Sequence, residues 1–299
     1  MKKLTADRRF VHSLVIPIAI IVVLVGFLPI FYSFNLSLTD FSLIVRSSKY
    51  IGFANYIRLL TDPRYIHALV FTLVFALVAT GIELLVGFVL AYVLADKSVS
   101  SRYSSAMRTL MMVPYIVAPV AVSYTYKSLI YDPNSGYLNY FLKLFHLAPF
   151  IIFNGRWNAI IAVLVMEIIL RTPFITLILY AGISAVPDSI LEAAEIDGAG
   201  IMQRIFKVII PFISPVLVVA FIFRYMDAIK MFDEIYVLTK GGPGIITENV
   251  SVYASAQSFE FFHAAYAAAS TFIFFIVVMK ESVETEDDKK KQLSEDLFA

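Results

Sequence analysis

The chain has 299 residues, 60% of them hydrophobic and only 16% charged. Soluble domains hold roughly 45–50% apolar and about 25% charged residues, so the composition indicates one all-α polytopic membrane domain and leaves nothing for a second, soluble one. A net charge of +1 with dispersed basic residues gives no footing to a nucleic-acid partner. The absence of cysteine excludes disulfides, thiolate nucleophiles and cysteine-bearing metal sites.

Residues 1–12 form a short basic N-terminus carrying Lys2, Lys3, Arg8 and Arg9. The apolar run behind it exceeds a signal-peptide core and lacks a small-residue cleavage site, so it reads as a retained first span. A helix needs about 20 mostly apolar residues to cross the hydrocarbon core. Six segments qualify: 13–34, 68–95, 109–130, 159–180, 211–229 and 259–279, the last uninterrupted only over 264–279. Together they define a membrane domain over 13–279. The remaining 280–299 is a polar tail of mixed charge, expected to be mobile. His12, His67, His146 and His263 lie far apart, with no i+3 or i+4 partner, and form no metal site.

Outside the spans, 13 Lys and Arg fall on the side of the N-terminus and 8 on the other. This bias places both termini, and the 185–210 loop, in the cytoplasm. Charges inside spans are costly and mark pathways or paired sites. Here they are Glu83, Lys127, Glu167, Arg171, Arg224 and Asp227. Glu167 with Arg171 (i, i+4) and Arg224 with Asp227 (i, i+3) share helix faces; they serve either a substrate pathway or internal ion pairs that permit burial. Lys127 lies near a span end, where it is expected to snorkel, and Glu83 has no evident partner. Tyr115, Tyr124 and Tyr225 are candidates for stacking on a substrate ring, although most aromatic residues in membrane proteins serve packing or the interface.

The 185–210 loop is polar and broken by glycine. Pro187, Asp188 and Ser189 are helix-start signals and Gly198 a stop signal, which predicts a helix over 189–197, a turn, and a second helix over 199–209 with Ile201, Ile205 and Ile209 on one face. Pro211 is expected to start the fifth span. Ser189-x-x-Glu192 also fits a simple capping box on two surface helices.

This loop reads Glu192-Ala193-Ala194, three residues, Gly198, nine residues, then Val208-Ile209-Ile210-Pro211. It resembles the EAA motif of bacterial ATP-binding-cassette importers, with Val208 and Ile210 where the pattern prefers Ile and Leu. Residues 50–63, 232–243 and 261–269 are similar to the matching stretches of carbohydrate-type importer permeases, the maltose and glycerol-3-phosphate group, although Phe71-Thr-Leu replaces the common Asn-Thr-Leu.

The resemblance implies a type I importer permease fold of six transmembrane helices with a cytoplasmic coupling-helix loop, in a bacterial inner or plasma membrane. It implies Glu192, Ala193, Ala194, Asp197, Gly198 and Pro211 as the coupling residues. The implied partners are a second permease, two ATPase subunits and an extracytoplasmic sugar-binding protein. ATP and Mg would reside in the ATPase subunits, since this chain has no phosphate-binding loop and needs no cofactor of its own. Glu167, Arg171, Arg224 and Asp227 would lie along the pathway of a sugar or oligosaccharide. Two guanidiniums there favour an anionic sugar slightly over a neutral one. The rival classes are a secondary transporter or channel using intramembrane carboxylates, which would predict inverted repeats that are not evident, and an intramembrane enzyme, for which no H-E-x-x-H or G-x-S-x-G occurs.

Overall fold

The structure, a computed structural model, describes residues 2–45 and 48–280, with side chains from Ser13 onward except that of Leu14. The tail beyond Lys280 lies outside the described residues. Most of the described residues are helical, and among them one isolated bridge joins Thr39 and Tyr50. Helices satisfy their backbone hydrogen bonds internally, as a bilayer demands.

The first two expected spans fall on α1 (Lys2–Ser37) and α3 (Pro63–Ala95), joined through the short α2 (Ala54–Leu60). The third differs from a straight crossing. It is α4 (Ser101–Ile116) followed by α5 (Pro119–Thr125), which widens into a π turn over Tyr126–Ile130, the two parts bent by 92°. Val117 and Ala118 are extended between them, with ψ of 139° and 130°. Pro119 is the cause, because a residue preceding proline is pushed out of the α region. After α6 (Tyr137–Leu144), α7 (Arg156–Ser184) supplies the fourth span.

The loop that follows forms α8 (Asp188–Ile196) and α9 (Ile201–Arg204). Pro211 does not begin the fifth span. Helix runs from α9 through a π turn, Ile205–Ile209, into α10 (Ile210–Ala228). Proline lacks an N–H and its ring crowds the carbonyl four residues back; a wide turn immediately before it accommodates both within one helix.

Beyond α10 come α11 (Asp233–Leu238), α12 (Val250–Ser255) with its π turn Ala256–Glu260, and α13 (Ala264–Lys280). Among the described residues, four helices are long and apolar enough to cross a bilayer, five if the bent pair counts as one, against six expected. The sixth expected span falls on α13, whose described residues rise about 25 Å at 1.5 Å per residue, against the roughly 30 Å core.

Residues 67–252 form one compact unit, and residues up to 66 with those from 253 onward form another. The first unit has two apolar cores. Phe75 and Ala79 of α3, Ala162, Val163 and Met166 of α7, and Ile235 and Leu238 of α11 build one. Ala91 of α3, Ile175 and Leu179 of α7, and Ile213 and Ala220 of α10 build the other. Phe71, at the departure from the common Asn, packs partly buried against the first core and stacks on His67.

The helices α3 and α7 meet closely at Gly87, where an added Cβ would lie 2.8 Å from Ile175 Cγ2 and 3.4 Å from the Thr176 backbone nitrogen. Overpacking of this kind costs about 1–3 kcal/mol. Gly87→Val is expected to lower the melting temperature of the purified protein by several degrees, whereas Gly81→Val, where a Cβ meets nothing within 4 Å, should not.

In the second unit, Asp62 ties three helices. It caps α3 by accepting from the N–H groups of Arg64 (2.9 Å) and Tyr65 (3.4 Å), and it accepts from the hydroxyls of Tyr253 in α12 (2.7 Å) and Tyr266 in α13 (3.2 Å). Burial works to raise its carboxyl, but the Tyr253 bond, the two N–H bonds and the Tyr266 bond outweigh it and hold the group below its ordinary range. A depressed folded value means the stabilisation is complete above the unfolded value and is lost only as pH falls through the folded one. The corner should therefore be intact at pH 5, and Asp62→Ala should lower thermal stability about equally at pH 5 and pH 8. An Asp62→Ala penalty confined to pH 8 would contradict that ordering.

Candidate functional site

Between the two cores of the first unit lies a layer of charge. On α3 the four-residue ladder Phe75, Ala79, Glu83, Gly87, Ala91 keeps one face toward the interior and puts Glu83 at its centre. On α7, Glu167 and Arg171 fall between Met166 and Ile175. On α10, Arg224 and Asp227 follow Ala220. The helix periods thus deliver all five charges to one depth.

Arg224 is the hub, with a side chain 2% exposed. Its Nε donates to Glu83 Oε2 at 2.6 Å and its Nη2 to Glu83 Oε1 at 3.0 Å, a bidentate fork onto a carboxylate with no exposed surface. Nη2 also donates to Glu167 Oε1, and Nη1 to Asp227 Oδ2 at 3.2 Å. Arg171 Nη2 donates to Glu234 Oε1 of α11 at 2.7 Å, and its guanidinium lies 3.7 Å from Glu167 and 3.8 Å from Asp227. Only a guanidinium presents enough planar donors to hold several carboxylates in this way.

Several expectations change here. Glu83 has a partner, and it lies 141 residues away on α10, beyond any local pattern. Glu167 with Arg171 and Arg224 with Asp227 are the weaker contacts of a four-helix network rather than two separate intrahelical pairs. Glu234, absent from the candidates, belongs to the network; it sits in the 232–243 stretch that carried a family resemblance, and that stretch was its only signal. Lys127 does not snorkel. The bend before α5 brings it beneath α11, where Nζ donates to the Val237 carbonyl at 2.8 Å. Both guanidiniums bond to carboxylates, as the internal ion-pair alternative has it, while Arg171 Nε has no hydrogen-bond partner among the described residues.

Arg171 and Asp227 border the solvent-accessible side of the network; the Asp227 side chain is 53% exposed. Tyr115 of α4 stacks on Phe174 of α7 at 5.3 Å and lies 5.9 Å from the Arg171 guanidinium. Tyr225 stacks on Phe221, one turn back on α10. Tyr124 is exposed and stands apart from this group. The arrangement therefore brings Tyr115 to the charges and leaves Tyr124 outside.

The 185–210 loop is built from backbone geometry. The Gly198 N–H donates to Glu195 O at 3.0 Å and the Ala199 N–H to Ala194 O at 2.9 Å, with Gly198 at φ +77°. This is the two-bond Schellman closure of a helix, which places a left-handed residue at the first position past the cap. Asp197 is that cap. The capping-box alternative for Ser189 and Glu192 is overturned, because the helix starts at Asp188 with Pro187 as its N-cap and no side-chain cap bond.

Glu192, Ala193, Asp197 and Gly198 are exposed, Ala194 half-exposed, and Glu192 lines a cleft of about 540 Å³ with Lys97, Glu195 and Arg204. Lys97 Nζ lies 2.8 Å from Asp188 Oδ1, and that bond raises the lysine's titration. Of the expected apolar face, Ile209 is in the core, Ile205 half-buried and Ile201 exposed. With Ile196 (86% exposed) and Met202 (68% exposed), Ile201 leaves large apolar side chains beside the turn. Apolar groups concentrated on a polar loop mark an interaction surface.

Residues 83–282 match the family model described as the binding-protein-dependent transport system inner membrane component. The chain is similar to the trehalose transport system permease protein SugA of Mycobacterium tuberculosis, 35% identical over 88% of this chain and 83% of that one. It is also similar to the trehalose/maltose transport system permease protein MalF of Thermococcus litoralis, 29% identical over 83% of each. A solved bacterial alginate ABC transporter, in complex with its alginate pentasaccharide-bound periplasmic protein, shares the fold of a chain with a TM-score of 0.79, covering 93% of this chain and 92% of that one at 19% identity.

Proposed function

The chain belongs to the family of inner membrane components of binding-protein-dependent transport systems, and from that premise we propose that it is the permease subunit of an ATP-driven carbohydrate importer. In this reading it lines half of a translocation pathway, and a second permease lines the other half. Two ATPase subunits bind ATP and Mg and dock on α8 and α9; a sugar-binding protein delivers substrate from outside. This chain carries the motion and catalyses nothing. The Lys and Arg bias supports cytoplasmic termini and a cytoplasmic 185–210 loop.

The observation that carries the proposal is the Schellman-closed turn at Gly198, with exposed Glu192 and Ala193 before it and exposed Ile196 and Met202 beside it. The helix leaving that turn is continuous with α10 and ends at Arg224 and Asp227, so a push on the loop reaches the charged layer along one rigid element. Glu192 is proposed to make the charged contact with the ATPase, Ala193 and Ala194 the close one, and Pro211 to sit where the wide turn joins the two. Arg171, Asp227, Tyr115 and Tyr225 are the proposed substrate-facing residues; Glu83, Glu167 and Arg224 hold the helices that present them. With both arginines engaged, a neutral, hydroxyl-rich saccharide fits better than an acidic one. The same engagement weakens the secondary-transporter reading, since Glu83 and Glu167 face a guanidinium.

The test is reconstitution with a second permease, an ATPase and a sugar-binding protein. ATP hydrolysis should rise several-fold when the binding protein is loaded with a matched saccharide. Sugar uptake by the purified single chain in liposomes without ATP would overturn the proposal.

A further inference from the structure

Between the bent third span and α7 the chain runs outside any crossing helix, and there it carries α6. Tyr137, Tyr140, Phe141, Leu144 and Phe145 recur at i, i+3, i+4, i+7 and i+8, which is one face of a helix. All five are between 57% and 71% exposed. The opposite face is the packed one: Asn139 is buried, Leu138 and Leu142 are half-buried, and Leu138 rests with Phe150 on the first apolar core. A contiguous apolar stripe turned away from its own core marks an interaction surface.

The stripe is held in a fixed place. Asn139 Nδ2 donates to Asp132 O at 3.1 Å and to Phe150 O at 2.9 Å, and its Oδ1 accepts from the Phe150 N–H at 2.6 Å. The Tyr131 hydroxyl donates to Ala162 O of α7 at 3.1 Å, and Asn158 Nδ2 of α7 to Ile151 O at 2.9 Å. A Schellman closure ends α6, with the Leu147 N–H on Leu142 O at 2.9 Å, the His146 N–H on Lys143 O at 3.1 Å, and His146 at φ +55°. These bonds fasten α6 to the first turns of α7, and the 185–210 loop leaves the other end of that helix.

The length of α7 sets the depth. Its 29 residues rise about 43 Å, which matches the roughly 40–45 Å of hydrocarbon core and headgroup layers together. Its first turn therefore lies at headgroup level, and Trp157, 68% exposed, stands on that turn. Trp and Tyr concentrate at this level of a bilayer. Charge points the same way. Residues 133–166 contain no Asp or Glu, whereas Lys143 and Arg156 are exposed. The Arg156 guanidinium lies 5.9 Å from the Trp157 ring. Asp132, just before this stretch, is turned onto its own loop, where it accepts from the N–H groups of Asn134 and Ser135 and from the Ser135 hydroxyl.

We propose that α6 lies flat in the headgroup layer and is a binding surface for anionic phospholipid. The stripe sits among the upper acyl chains, and Lys143 and Arg156 reach the phosphates. An apolar aromatic face flanked by cations is the pattern of an interfacial helix, and the stem of Lys143, placed between the stripe and the packed face, lets its ammonium rise to the phosphates. At this depth lipid supplies both an apolar layer for the stripe and anions for the cations. An α6 seated in this way fixes one end of α7 while the loop at the other end moves. Only the assignment to the outer leaflet rests on the cytoplasmic 185–210 loop proposed above.

The experiment uses the assembled transporter, with cysteine-free partner subunits, in vesicles of phosphatidylcholine and phosphatidylglycerol. Because this chain has no cysteine, Phe141→Cys, Leu144→Cys and the solvent-facing reference Asn134→Cys each carry one nitroxide. The first two labels should collide more often with oxygen than with a water-soluble nickel chelate, and the reference label should do the reverse. A photoactivatable phosphatidylglycerol should label the 137–157 peptide of the wild type at least threefold more than the matching phosphatidylcholine probe. Lys143→Glu with Arg156→Glu should remove that preference. Protection of Phe141→Cys and Leu144→Cys from both reagents would mean that a second permease or another protein covers the stripe, and frequent collision with the nickel chelate would leave it in water; either overturns the proposal. Equal labelling of the wild type by the two lipid probes overturns it too. The wild-type labelling needs no substitution and decides alone if a cysteine variant fails to assemble. Saccharide-stimulated ATP hydrolysis in the same vesicles tests the importer reading separately.

Discussion

Arg224→Met is expected to lower the yield of folded protein and to reduce its melting temperature more than any other single change in the chain. Met fills a similar volume but leaves Glu83 and Glu167, with side chains 0% and 1% exposed, facing only Arg171. Removing one partner of a buried ion pair costs about 3–5 kcal/mol, because the other charge stays buried without compensation. Arg224→Lys should fall between, since an ammonium cannot make the planar fork onto Glu83 while also reaching Glu167. The double change Glu83→Gln with Arg224→Met should recover part of the loss, as only that pair's charge is then removed together. Thermal unfolding of the detergent-solubilised protein, followed by fluorescence-detected size exclusion, reads all three. An Arg224→Met protein that melts within about a degree of wild type would show that the layer is not under the electrostatic demand that its burial implies.

Glu192→Lys and Gly198→Asp are expected to leave insertion and melting temperature close to wild type while reducing transport by at least tenfold. Both residues are exposed, and an added Cβ at Gly198 would meet nothing within 4 Å, so neither change disturbs packing within this chain. At Gly198 the φ of +77° favours glycine, and Asp there strains the turn that aims α9. At Glu192 the reversal puts a cation where an ATPase contact is proposed, beside Lys97 in the same cleft. Two measurements separate coupling from folding: retention of the ATPase through purification, and ATP hydrolysis per assembled complex. Wild-type values of both in both variants would remove the coupling role from this loop.

Much of this protein is legible in its residue order because a bilayer imposes a local rule. Every long apolar run must become a helix, so the helices α1, α3, α7 and α10 stand where uninterrupted apolar sequence stands. The 185–210 loop was legible for a similar reason: Pro187 and Gly198 act on the backbone within a residue or two, and the helix boundaries lie within two residues of those expected at Asp188, Ile196 and Ile201. Hydropathy was blind to what depends on backbone direction. It counts Pro119 as one moderately apolar residue in a run, whereas the conformation it forces on Ala118 turns the chain by 92°. It reads Pro211 as a start, whereas the π turn before it lets the helix pass through. The charged layer was half visible. Helical spacing puts Glu167 with Arg171 and Arg224 with Asp227, but it cannot choose between a neighbour on the same helix and one across an interface. That choice belongs to the tertiary structure: the Phe75–Ala79–Glu83–Gly87–Ala91 face of α3 packs against α7, and this packing carries Glu83 to Arg224 and turns two local pairs into one network.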